Sequence, residues 1–183
     1  GAFRSYYEHM EAIDLNLPIS SSSKELLCAH CGEVCDDAIN LEDLNFCCQG
    51  CETVFFILKE HNLEDYYGLK KSFSSPFNSL ATVKEDTYSF LGDTDFIEKE
   101  AIEVNQYKVL TFYLENIHCP ACLWLIERLP KIVSGITRTD LNFSQSTLKV
   151  FCPKSNEGYQ AFADAALTLH QLGYKPHVIT KSQ

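Results

Sequence analysis

YKVLTFYLENIHCPACLWLIERLPKIV, residues 107–133, holds a β-rich run, two cysteines and a helical period in that order. Residues 107–117 are rich in β-branched and aromatic side chains. Val109, Thr111 and Tyr113 alternate there with Leu110, Phe112 and Leu114, and two largely apolar faces predict a central strand. Cys122, Leu125, Ile126, Leu129 and Val133 then recur at spacings of three and four, which is one face of a helix. Cys119 and Cys122 therefore fall where a loop enters a helix, near partly positive backbone N–H groups that favour thiolates. Two soft thiolates without a hard third ligand suit Cu(I) better than zinc, which wants four ligands. A lone CxxC is a weak signal, because redox couples and bystanders share it.

The continuation predicts the rest of a domain. Residues 136–143 and 147–152 are β-rich runs separated by Ser144, Gln145 and Ser146, which reads as a hairpin. Ser155 or Asn156 can cap a helix whose apolar face is Phe162, Ala166, Leu169 and Leu172, with Gly173 to end it and Pro176 beyond. A last strand follows over 177–180. The order strand, helix, strand, strand, helix, strand is the ferredoxin-like βαββαβ unit. Cys152 shares a strand face with Leu148 and Val150 and reads as a small buried hydrophobe.

Upstream, CAHCGEVC begins at Cys28 and FCCQGC at Phe46. Cys28 and Cys31 form one CxxC, and Cys48 and Cys51 form another after 16 intervening residues, a spacing typical of zinc sites. Cys47 and Cys51 would serve equally as a CxxxC pair, which leaves either Cys47 or Cys48 spare. His30 and Cys35 are close enough in sequence to substitute. Four thiolates from a short segment close a tetrahedral shell and stabilise a module too small to hold itself together. The second pair leads into ETVFFILKEHNLEDYYGL, a helix candidate with Val54, Phe55, Phe56 and Leu58 as packing residues. A knuckle followed by a helix is treble-clef-like, so the expected fold class is α+β: a small zinc module, then a ferredoxin-like domain.

The chain has 183 residues, 45% of them hydrophobic, and a formal net charge of −10. This length suits two small domains. The expected division is an N-terminal extension over 1–27, a cysteine-rich module over 28–70, a linker over 71–106 and the second domain over 107–183. Phe3 to Ile13 can form a short helix, Ser20 to Ser23 a polar link, and SFSSPFNSLA reads as linker. The acidic balance opposes nucleic acid and anionic membrane surfaces. No apolar run reaches the length of a membrane span. Nine cysteines, six of them in two tight clusters without a signal peptide, predict thiols in a reducing compartment, the cytoplasm.

NIHCPACLWLIERL, TDLNFSQSTLKV and LGYKP resemble the heavy-metal-associated domain of copper-transporting P-type ATPases of the cytochrome-oxidase-assembly subtype. CAHCG, FCCQGC and LEDYY resemble the cysteine-rich module that precedes it in the same subtype. The resemblance implies that Cys119 and Cys122 bind Cu(I) and that Tyr174, in the last loop, shields the metal. It also implies that the whole protein exports Cu(I) with ATP hydrolysis, from the cytoplasmic side of a membrane, with a copper chaperone or other domains of the same ATPase as partners. His118 is expected beside the pair without being a ligand. Two departures stand out: Asn116 and Ile117 replace the usual Gly-Met, and Pro130 falls inside the expected helix, where it costs about 3 kcal/mol unless the helix kinks or ends. There is no DKTGT phosphorylation motif and no intramembrane CPC, so no catalytic residue is expected in this chain. The competing readings are a zinc or broad-specificity exporter and a thioredoxin-like dithiol oxidoreductase; the latter lacks the βα unit before its motif and a facing proline strand.

Overall fold

The computed structural model describes residues 24–73, 76–80 and 82–181. The expected features of residues 1–23 lie outside these. The chain opens with a tight knuckle. Gly32, at φ 79°, returns the backbone so that its N–H donates to the Cys28 carbonyl (2.9 Å) and Cys28 N–H donates to that of Glu33 (2.8 Å). Strands β1 (Ile39–Leu41) and β2 (Leu44–Phe46) form an antiparallel hairpin. Its two turn residues, Glu42 and Asp43, both have positive φ, the conformation that matches strand twist across a two-residue loop. Ala29 N–H donates to the Asn45 carbonyl at 2.7 Å and ties knuckle to hairpin. Helix α1 (Gln49–Glu60) starts directly after, followed by α2 (Asp65–Ser72). Phe46 is fully buried, with Phe55 and Phe56 from α1 at centroid distances of 5.3 and 5.8 Å. Knuckle and helix follow in the order expected of the small module, with a hairpin between them that was not expected.

The second domain contains β4 (Tyr107–Leu114), α4 (Pro120–Ile126), α5 (Leu129–Ile132), β5 (Arg138–Asn142), β6 (Thr147–Pro153), α6 (Gln160–Gln171) and β7 (Pro176–Ile179). Strand β4 pairs with β6 along one edge, from Tyr107↔Pro153 to Tyr113↔Thr147, and with β7 on the other, from Thr111↔Ile179 to Leu114↔Pro176. β5 lies outside β6. This is the antiparallel sheet of a βαββαβ unit. The central placement of β4 agrees with its sequence, but only one of its faces is fully covered: Leu110, Phe112 and Leu114 are buried, whereas Tyr113 is exposed.

Two local expectations are corrected. The helix after Cys119 is not continuous, since α4 ends at Ile126 and α5 begins at Leu129 with Pro130 in its first turn. A proline there forfeits only an N–H that has no helical partner. Cys122, Leu125, Ile126, Leu129 and Val133 nevertheless all remain buried. Helix α6 is preceded by Tyr159, with no side-chain cap, and Ser155 instead accepts from Glu157 N–H. Its C-terminus is as read: Gly173 at φ 100° donates to the His170 carbonyl, and Tyr174 N–H donates to that of Leu169. These paired bonds form a Schellman motif.

The stretch between the modules is largely structured. A 3-10 turn (Ser89–Gly92), α3 (Thr94–Glu100) and β3 (Ile102–Val104) lead into the sheet, β3 pairing with the start of β4. Residues 76–80 do not hang free as a linker. Leu80 packs so closely on Gly50 of α1 that a Cβ there would stand 2.7 Å from the Leu80 Cβ, and Asn78 donates to the Gly173 carbonyl at 3.3 Å. Val54, Leu58, Leu63 and Tyr66 from α1, α2 and their junction share one apolar core with the sheet and helices of the second domain.

Candidate metal centres

The knuckle, the end of β2 and the start of α1 bring four thiols together. The sulfurs of Cys28, Cys31, Cys47 and Cys51 all lie within 4.8 Å of one another, with 3.7 Å between Cys31 and Cys47 and 3.5 Å between Cys47 and Cys51. Zinc–sulfur bonds of about 2.3 Å in a tetrahedron place sulfurs about 3.8 Å apart. The donor set therefore fits a four-coordinate soft or borderline cation. Cys48 stands apart: it is the N-cap of α1, and its sulfur accepts the Cys51 N–H at 3.4 Å. His30 also stands apart. It is buried in a cage of Tyr66, Tyr67 and Phe77, and its Nδ1 meets the Tyr67 hydroxyl at 2.8 Å. Burial, and then the Lys70 charge, hold it neutral, with a pKa of about 4. Cys35 is buried with its sulfur near the Glu33 carbonyl and is not in the cluster.

The thiols of Cys28, Cys47 and Cys51 have different electrostatic settings. Burial raises the Cys28 pKa, but backbone N–H groups of Cys31, Cys47 and His30 overcome it and leave a value of about 7. Burial, outweighing the help of Cys51 and joined by opposing Cys31 and Cys28 thiols, pushes Cys47 up to about 12, and Cys51 is raised further by burial and its neighbours. The Cys28 thiolate is poised while Cys47 and Cys51 resist becoming further anions, a balance that a bound divalent cation reverses. A cleft of about 610 Å³ opens between this cluster and residues 76–80, lined in part by Cys31, Cys47 and Cys48.

The second thiol pair is built differently. Cys119 is the N-cap of α4 and Pro120 opens that helix. The two sulfurs are 3.4 Å apart, and Cys119 and Cys122 are 4% and 0% exposed. Among the described residues no third His, Cys, Asp or Glu joins them. Glu115, the nearby carboxylate in sequence, faces His177 at 3.3 Å. His118 is exposed, its Nε2 3.1 Å from the Asn78 Oδ1. Tyr174 is fully buried and, among the described residues, its hydroxyl has no hydrogen-bond partner; burial first, then the nearby Tyr66 and Cys122, raise its pKa. A buried, unpartnered hydroxyl beside a dithiol is the kind of orphan that a bound ion and its ligands would accommodate. Trp124 is half-buried under the Arg128 guanidinium, 4.0 Å from its ring, which accounts for it as packing. Cys152 is buried on β6, and burial raises its pKa.

Tyr66 and Asn78 were not singled out by the sequence reading. Tyr66 sits within LEDYY and Asn78 in a stretch that reads as linker, and neither carries a metal-ligand signature. Helix α2 packs on α4, the helix that the thiol pair opens, and Tyr66 shares one apolar core with Cys119 and Cys122.

No helix among the described residues is long and apolar enough to cross a membrane. No curated protein and no solved structure matches the chain. Residues 27–106, which hold all four converging cysteines, match the family described as "Putative metal-binding domain of cation transport ATPase".

Proposed function

We propose that this chain is the metal-binding region of a Cu(I)-exporting P-type ATPase. In this reading the Cys28, Cys31, Cys47 and Cys51 cluster holds a structural zinc, and Cys119 and Cys122, in a heavy-metal-associated domain, take Cu(I) as cargo. The convergence of four sulfurs within 4.8 Å inside the segment that matches the ATPase family carries the reading. The second site supports the division of labour. Two thiols without a hard third ligand satisfy Cu(I), while zinc would have to recruit water into a dry site. The region sits on the cytoplasmic side of the membrane and accepts copper from a chaperone or another domain of the same ATPase. Its net charge of −10 favours a basic donor surface.

The test is elemental analysis of anaerobically purified protein, followed by competition titration with Cu(I) and zinc chelators. One tightly held zinc is expected, retained in Cys119→Ser/Cys122→Ser, together with one Cu(I) site that this variant loses. Tight stoichiometric zinc at Cys119 and Cys122, with copper no better, would replace copper by zinc as the cargo. A four-cysteine cluster that binds only copper, reversibly, would make the first module a second sensor.

A further inference from the structure

Cys119 and Cys122 are almost completely excluded from solvent, although a cargo site must meet a donor and an acceptor. The other module shares the core in which they lie, through Tyr66. Tyr66 of α2 is 4% exposed, and α2 lies on α4, the helix that the pair opens. Residues 76–80 pass beside the loops that flank the pair and are fastened at several points. Lys70, buried on α2, donates to the Pro76 carbonyl at 2.9 Å, and its ammonium lies 5.3 Å from the Phe77 ring and 5.9 Å from that of Tyr66. Asn78 bridges to both loops around the pair, donating to the Gly173 carbonyl beside Tyr174 and meeting His118 beside Cys119. Gly173 leaves the room for this passage, since a Cβ on it would stand 3.0 Å from Asn78 and Leu80.

We propose that Tyr66 is a wall of the ion site formed by Cys119 and Cys122, and that the cysteine-rich module sets the exchange rate there, because α2 and residues 76–80 must lift before the sulfurs meet a partner. The part concerning copper rests on the function proposed above; the closure itself does not. Cu(I) passes by ligand exchange. The incoming ion carries two donor thiolates, and these leave with the two protons that Cys119 and Cys122 give up, so charge is conserved. Such an exchange needs the ion, while a donor sulfur still holds it, to come within metal–sulfur bonding distance of Cys119 or Cys122, which the Tyr66 ring prevents while α2 is seated. Residues 76–80 are held by a few hydrogen bonds and ring contacts, as is common in segments that open locally without global unfolding, and α2 adds the burial of Tyr66 in the shared core. The same segment lines the cleft beside the four-cysteine cluster, so its seating is linked to both sites.

The test uses the whole reduced chain under anaerobic conditions. Without added copper, iodoacetamide labelling of the peptide bearing Cys119 and Cys122 is followed by mass spectrometry, with buried Cys152 as the control for global unfolding. Tyr66→Ala and Asn78→Ala should each speed labelling of the pair about tenfold or more, and Cys152 should be unaffected. Tyr66→Phe keeps the ring and should keep the slow rate. With Cu(I) loaded, transfer to bathocuproine disulfonate should accelerate to a similar extent in the two alanine variants. Unchanged labelling in both, with Cys152 still protected, would overturn the proposal. Should Tyr66→Ala also expose Cys152, Asn78→Ala decides. Should the chain take no copper at Cys119 and Cys122, the functional reading falls, and labelling alone still decides whether the module closes the pair.

Discussion

Cys47 and Cys48 are neighbours with opposite duties. Cys47 leaves β2 with its sulfur toward Cys31 and Cys51, while Cys48 turns its sulfur back to the N–H of its own helix. Sequence spacing permits either as the ligand, since CxxC and CxxxC both place a thiol at a helix start. What separates them is that the N-cap position aims its side chain at the first helical turn, and only the folded hairpin shows which cysteine occupies it. Cys48→Ser should therefore keep the metal, with thermal stability within about 1 kcal/mol of the parent, because serine caps well. Cys47→Ser should lose the stoichiometric metal and, with it, the fold of the knuckle. Elemental analysis and melting curves of the two variants distinguish these outcomes.

At the scale of elements, the helix after Cys119 shows how a rule can be read correctly and still leave the outcome open. Pro130 signalled a break, yet the apolar face runs through it, because Leu129 at the start of a second short helix and Val133 just past its end bury themselves against the same core. The segment containing α3 and β3 was harder to place, since its anchoring partner lies on another element. Lys108 of β4, buried, pairs with Glu98 of α3 at 2.9 Å and Glu103 of β3 at 2.6 Å. Hydrogen bonds from Lys108 and then Lys154 lower the Glu103 pKa below the ordinary carboxylate range. A lowered carboxylate pKa adds stability that is present above the unfolded value and is lost as pH falls through the folded one. Glu103→Gln should thus melt below the parent at pH 7, and the gap should narrow as the pH falls below the ordinary carboxylate range, checked by melting curves across that range.

Across the whole molecule, two modules are legible in the sequence as two cysteine clusters with separate hydrophobic periods. Their association is not. Val54 and Leu58 read as packing residues of the first module's helix, and only the fold reveals that they, with Tyr66, pack into the core of the second. Around the four-cysteine cluster, by contrast, there is a small separate core of Cys28, Cys35, Phe46 and Cys51. Removing the metal should therefore loosen the knuckle and the β1–β2 hairpin first. Hydrogen exchange after chelation should rise over residues 26–48, while β4 and β6 stay protected. Collapse of protection throughout the sheet would mean that the chain unfolds as one cooperative unit.

The passage of residues 76–80 between Gly50 and Gly173 also has a consequence for chain length. Phe77 meets His30, Asn78 meets Gly173 and Leu80 meets Gly50, three partners in three elements. A single inserted glycine between Phe77 and Asn78 cannot preserve all three alignments, whereas the exposed turn between β5 and β6 can absorb one at little cost. A stretch that sounds like a spacer behaves as a ruler, and its reading frame is counted in residues from one cysteine site to the other.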